Sequence, residues 1–208
     1  MNDIAGFPAR AFTKADSAPD LEFYAAPRLV AHIDDAAIAA VTQLYRETLP
    51  AGGEVLDLMG SWISHLPPEM QFGHVTGHGM NAAELDANPR LDDWFMQDFN
   101  VDPLLPLATG AFDAACLCVS VQYLQQPVAV FREVKRVLRP GAPFVATFSH
   151  RCFPTKAIAI WQALDGPEQQ QLVALYMTRA GFAQIDTGAM LPDEGDPLWA
   201  VIGHAPAA

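Results

Sequence analysis

The sequence predicts an α/β fold, a mostly parallel sheet with helices on both faces and a closing antiparallel hairpin. Three observations lead there. Val55-Leu56-Asp57-Leu58 is a continuous apolar run with one charge, the pattern of a strand buried on both sides, which occurs almost only in parallel sheets covered by helices. Strand-like and helix-like periods then alternate along the chain, as β-α-β units require. Finally, residues 183–187 and 198–203 read as two strands joined across Pro192-Asp193-Glu194-Gly195-Asp196-Pro197, a turn-rich connection that suits a hairpin.

Residues 1–20 mix charge with Pro and Ala and are expected either to lack fixed structure or to drape over the rest. Residues 21–208 read as a single domain. Within it, Phe23, Tyr24, Pro27, Arg28, Leu29, Val30, His32 and Ile33 form an aromatic and apolar segment, in which Arg28 and His32 would share a face if helical. A helix follows over residues 34–49, with Ile38, Val41, Leu44 and Tyr45 at helical spacing and Asp34 or Asp35 as its cap. After the first strand, residues 63–66 have room for about one helical turn before Pro67-Pro68 ends it. A second strand is expected over 72–78. Asn81-Ala82-Ala83-Glu84 has capping-box spacing, and the short helix it opens should end at Pro89.

Strands are further expected at 94–97, 111–119 and 142–148, with a loop over 101–109. Between the last two lies an amphipathic helix opened by Pro127, with Val128, Phe131, Val134, Val137 and Leu138 on its apolar face. Helical stretches at 157–164 and 168–179 precede the hairpin, the second closed by Gly181 in the place a left-handed cap requires. The count is seven strands, and the architecture is Rossmann-like.

Composition narrows the function. The chain has 208 residues, with 12 Lys and Arg against 24 Asp and Glu. A net charge of −12 repels a phosphate backbone, so nucleic acid is not an expected partner. No apolar run reaches the roughly 20 residues of a membrane helix. The first 20 residues resemble neither a secretory signal nor a transit peptide, so a cytoplasmic location is expected. Cys116, Cys118 and Cys152 are odd in number and lack zinc spacing, and they read as reduced core thiols. His74 and His78 lie four apart on a strand with no third ligand near, so no metal is expected.

The motif order from about residue 54 to residue 203 resembles the class I S-adenosylmethionine-dependent methyltransferases, especially the small type-11 domain. Val55-Leu56-Asp57-Leu58 is similar to the family's first strand, and Phe112-Asp113 to the entrance of its fourth. Phe131-Arg132-Glu133-Val134-Lys135-Arg136-Val137-Leu138-Arg139-Pro140-Gly141 is similar to its helix and turn before strand five, and Ala180-Gly181-Phe182 to the stretch before its last hairpin. The resemblance implies S-adenosylmethionine as cofactor and a crevice at the carboxyl ends of the strands, where open α/β sheets bind ligands.

Two departures stand out. The family follows strand one with alternating glycines, and here the turn is Met59-Gly60-Ser61-Trp62-Ile63. The family also ends strand two with an acid for the ribose hydroxyls, and here the stretch is Gly77-His78-Gly79-Met80-Asn81. The resemblance therefore assigns cofactor contacts to Asp57, Met59, Gly60, Ser61, His78, Gly79, Met80, Asn81 and Ser120, with the ribose left to His78, Asn81, backbone or water in place of the missing acid. Asp98 and Phe99 match the family's adenine contact.

His150 and Tyr123, after strands five and four, are the candidate catalytic residues, and if a base is needed His150 or His78 is favoured, because an imidazole titrates near neutral pH. Tyr24, Arg28 and Arg151 are candidates for acceptor binding. Ser120-Val121-Gln122-Tyr123 lacks the Pro-Pro-aromatic pattern of nucleic-acid and protein amine methylases of this fold. The expected reaction is methyl transfer to a small, uncharged or cationic acceptor. The alternative is a degenerate relative that binds a ligand or partner without transfer. A nicotinamide dehydrogenase would need G-x-G-x-x-G after strand one, and Met59 to Ser64 offers nothing close.

Overall fold

The computed structural model describes Ile4 and residues 6–207. Helix α1 is Asp20–Phe23 and α2 is Asp35–Thr48, with the Asp34 side chain accepting from the Ala37 backbone as its cap. Strand β1, Glu54–Leu58, is followed by β2 at His74–Gly79, α3 at Ala82–Asp86, β3 at Asp93–Met96 and β4 at Ala114–Cys118. Then come α4 at Pro127–Val137, β5 at Pro143–Phe148, α5 at Ala159–Ala163, α6 at Gly166–Ala180, and the hairpin β6, Ala183–Met190, with β7, Leu198–His204. Among the described residues no helix is long and apolar enough to cross a membrane.

The seven strands form one sheet in the order β3-β2-β1-β4-β5-β7-β6. β1 to β5 pair in parallel, while β7 runs antiparallel to both β5 and β6. This is the expected Rossmann-like sheet with its reversed final hairpin. Side chains alternate between two cores along each strand. Leu56, Leu58, Leu117, Phe144 and Phe148 meet α4 and α6 through Phe131, Val134 and Tyr176, whereas Val55, Val75, Cys116 and Val145 meet α2 through Val41 and Tyr45. Strand order reverses between β1 and β4, so the crevice opens above their carboxyl ends.

Three expectations are corrected. Residues 63–66 form no helical turn. His65 has φ +55°, outside the right-handed helical region. The loop is pinned instead by Asn88 Nδ2, which donates to the Ser61 carbonyl (2.9 Å) and Ser64 Oγ (2.8 Å), and by Thr42 Oγ1 on the His65 carbonyl (3.0 Å). The segment after α1 is also not helical, so Arg28 and His32 share no helix face. Helix α6 begins two residues earlier than the period suggests, because Asp165 caps it in a complete capping box with Glu168.

Residues 7–20 lie against the domain. Phe12 is buried, Lys14 pairs in an isolated bridge with Ile158, and the fully buried Lys156 ammonium reaches Asp16 (3.1 Å), Asp20 (3.3 Å) and the Ala18 carbonyl (2.7 Å). Lys14 Nζ also pairs with Asp20. Residues 1–3 and 5 fall outside the described residues.

Candidate functional site

A cavity of about 310 Å³ sits at the strand tips, at the lower end of the roughly 300–1,000 Å³ typical of small-molecule sites. All eleven residues expected to hold a cofactor line it: Asp57, Met59, Gly60, Ser61, His78, Gly79, Met80, Asn81, Asp98, Phe99 and Ser120. So do Tyr24, Arg28, Arg151 and Tyr123. His150 does not.

β1 delivers Asp57 to the cavity floor. Burial raises its carboxyl to about 6, against the opposing effects of the Ser64 hydroxyl and the Cys116 thiol, whose Sγ lies 3.6 Å from Oδ1. The next residue but one, Met59, has φ +54°. That is the left-handed conformation glycine adopts without strain, so the turn keeps a glycine-like backbone after losing the glycine. His65 and Val119 (φ +46°) are also left-handed, and both line the cavity. For a β-branched residue such as Val119 this is a true outlier, and strain of this kind gathers where function over-determines the backbone.

His78 ties the tips of three strands together. Its Nδ1 accepts from the Met59 backbone N–H (3.1 Å), and its Nε2 meets the Gln97 carbonyl (2.9 Å). A backbone N–H can only donate, so the proton sits on Nε2. The ring lies parallel to Phe99, with 3.9 Å between centroids and 15° between planes. Burial lowers its pKa to about 4, so the imidazole is neutral. With both nitrogens committed, His78 has nothing left for ribose hydroxyls.

Neither departure from the family pattern is independent of the other. The Gly60 N–H donates to the His78 carbonyl (2.8 Å), which lays the turn after β1 onto the end of β2. A β-carbon on Gly79 would then lie 2.7 Å from the Gly60 carbonyl oxygen. An acidic side chain at that position has no room.

Asn81 and Glu84 face a strap formed by residues 24–32, which roofs the cavity. Asn81 Nδ2 donates to the carbonyls of Tyr24 (2.9 Å) and Ala25 (3.1 Å), while its Oδ1 caps α3 by accepting from the Glu84 N–H. Asn81 is therefore also unavailable to ribose. The Glu84 carboxylate completes no capping box. It accepts from the Arg28 N–H (2.6 Å) and Ser61 Oγ (2.5 Å). Trp62 Nε1 donates to the Val30 carbonyl (3.1 Å). The residues standing where the family has glycines thus hold the strap in place.

At the other end, the Tyr123 hydroxyl accepts from the Phe153 N–H (2.9 Å), and the two rings stack. Burial pushes its pKa up to about 12, which rules it out as a base at neutral pH. His150 is 55% exposed in its side chain and turned toward Asp196 Oδ1 (3.2 Å), away from the cavity. Its expected catalytic role finds no support in its position. Arg151 Nε binds the same oxygen (2.7 Å) yet still lines the cavity.

Sequence reasoning missed Asp20, His32, His65, Glu84, Asn100 and Phe153, all of which line the cavity. Glu84 was visible as a helix-cap residue, and its second role was hidden by distance along the chain. Phe153 gave no signal.

A seven-stranded sheet in this order, parallel apart from its reversed final hairpin, is the Rossmann-like fold that class I S-adenosylmethionine-dependent methyltransferases share. Residues 60–146 match the family model described as a methyltransferase domain. No curated protein sequence matches.

Solved structures share the fold. A Haloferax volcanii methyltransferase in complex with the Trm112 methyltransferase activator is 17% identical, covers 84% of this chain and 91% of its own, and has a TM-score of 0.61. The [4+2]-cyclase SpnF is 16% identical, with 91% and 92% covered and a TM-score of 0.65. An S-adenosylmethionine-dependent methyltransferase from Mesorhizobium loti is 18% identical, with 78% and 96% covered and a TM-score of 0.56.

Proposed function

We propose that the chain transfers a methyl group from S-adenosylmethionine to a small-molecule acceptor. The observation that supports this reading best is that the crevice stays open despite its bulkier floor. Met59 adopts the glycine-like turn, Trp62 is drawn out to the strap, and Gly60 packs so closely that a β-carbon there would lie 3.3 Å from Asp57 Oδ2. When bound, the cofactor supplies a methyl group already activated on a sulfonium. The chain has only to bind, align and exclude water.

Asp57 would hold the amino group, a role it gains as it ionises near pH 6. Asp98 would meet the adenine amine, since only its Oδ1 is engaged, by the Asn100 N–H (2.9 Å). Glu84 would stand in for the missing acid, since each of its carboxylate oxygens keeps a lone pair beyond its bond from the Arg28 N–H or Ser61. The strap, tied by Asn81, Glu84 and Trp62, keeps water out. With His150 outside the cavity and Tyr123 held protonated, neither of the two expected catalytic residues serves as a base, which suits an acceptor that arrives already nucleophilic.

Calorimetric titration with S-adenosylhomocysteine tests the reading. Micromolar binding that Asp98→Ala weakens at least tenfold is expected. No heat and no thermal shift at millimolar ligand would leave the second reading, a fold kept for binding something else.

A further inference from the structure

We infer that Arg28 and Arg151 form an oxyanion site at the acceptor end of the cavity, which selects a planar, anionic acceptor. The inference rests on the cavity being the transfer site.

The carboxylates around the cavity already have partners. Asp20 receives Lys14, Lys156 and Asn100 Nδ2 (3.0 Å), and Glu84 receives the Arg28 N–H and Ser61. Arg28 differs. Its guanidinium donates only to the neutral carbonyls of Phe23 (2.8 Å) and Ala26 (3.4 Å), and no carboxylate of the described residues pairs with it. Three rings at steep angles to one another surround it instead, with its central carbon 4.5 Å from the Phe23 centroid, 5.7 Å from Tyr24 and 5.5 Å from Phe153.

With two of its five N–H groups on neutral carbonyls, the guanidinium has donors left for a planar oxyanion, which it can match with a two-pronged bond. The second cation comes from the other wall. Arg151 stands two residues before Phe153 and gives only Nε to Asp196, so its terminal nitrogens are uncommitted. Tyr123 and Phe153, stacked at 6.0 Å and 28°, supply a flat apolar face between strap and sheet. Two cations beside a ring wall fit a molecule that is itself a ring bearing an oxyanion. In a chain of net charge −12, such an acceptor would not be drawn by the overall field, so local pairing must do the selecting.

The probes are benzoate, phenyl phosphate and the neutral isostere benzamide, titrated into the full chain with and without S-adenosylhomocysteine. Benzoate or phenyl phosphate binding at least about tenfold tighter than benzamide is expected, and whichever of the two is tighter identifies carboxylate or phosphate. Arg28→Gln and Arg151→Gln should each remove most of that preference. Arg28→Lys, which keeps the charge and loses the fork, should retain part of it, and melting curves confirm that the variants fold.

Equal binding of benzoate and benzamide would overturn the site. So would an Arg28→Gln variant that loses affinity for S-adenosylhomocysteine but not for 5′-methylthioadenosine while benzoate binding stays unchanged, because Arg28 would then hold the cofactor's carboxylate. Failure of S-adenosylhomocysteine to bind at all would sink the methyl-transfer reading alone, since the benzoate preference is measured without it.

Discussion

The carbonyl oxygen of Gly60 occupies the space a side chain on Gly79 would need, 2.7 Å from the position of its β-carbon. The missing ribose acid and the altered glycine turn are therefore one structural change. Restoring the family acid with Gly79→Asp should not improve cofactor binding. It should instead force the turn after β1 away and cost about 1–3 kcal/mol of stability, the usual range for overpacking a tight site. Urea unfolding and S-adenosylhomocysteine titration of the variant check both halves.

His78 is bonded to β1 through the Met59 N–H, to β3 through the Gln97 carbonyl, and stacked on Phe99. Replacing it with Ala leaves two backbone groups unpaired and a void beneath the cavity. A loss of roughly 3 kcal/mol is expected from these combined effects. A midpoint shift smaller than about 1 kcal/mol in denaturant would show that the imidazole does not hold the strand tips together.

Stability should fall as pH drops below about 6.5. His78 and His65 both have pKa values lowered to about 4 by burial. The unfolded chain therefore takes up protons between pH 6.5 and 4 while the folded chain does not, and stability is lost over that interval. His78 alone accounts for about 3 kcal/mol across it. Asp57, raised to about 6, works in the opposite sense: its folded form binds a proton more tightly, so its contribution fades as pH rises from about 4 to 6. Asp57→Asn should steepen the acid-side loss. A melting temperature that no longer falls from pH 7 to 5 in the His78→Asn, His65→Asn double variant, and rises slightly as Asp57 takes up its proton, beside a falling wild type, is the expected contrast.

Glu84 holds the strap through the Arg28 N–H and through Ser61. Glu84→Ala should free residues 24–32 and expose the Arg28-Leu29 bond. Trypsin should cut there several-fold faster than in the wild type, with the cores on both faces of the sheet still protected. Unchanged cleavage at that bond would mean the other tethers suffice.

What could be read from the sequence followed from regular periods. The β1 run with Asp57 at its end, the α4 stripe from Val128 to Val137, and Gly181 as a left-handed cap each carry a local signal, and each stands where expected. The strap was illegible because nothing periodic holds it. It depends on side chains bonding backbone 56 or 57 residues away, as Asn81 does with Tyr24 and Ala25, and such pairs have no spacing rule. His150 misled for a related reason. Its place after β5 put it near the right edge, but Asp196 in the β6–β7 connection draws it outward, and only the folded chain brings those two together.

The roof over the cavity has a kinetic meaning. A molecule entering past residues 24–32 meets a segment fastened by Asn81, Glu84 and Trp62, so several bonds have to open along that route. Exchange there should therefore be set by how often that door unlatches rather than by diffusion. Slow arrival and long residence would follow together, and a bound product would be released more slowly than its own contacts require.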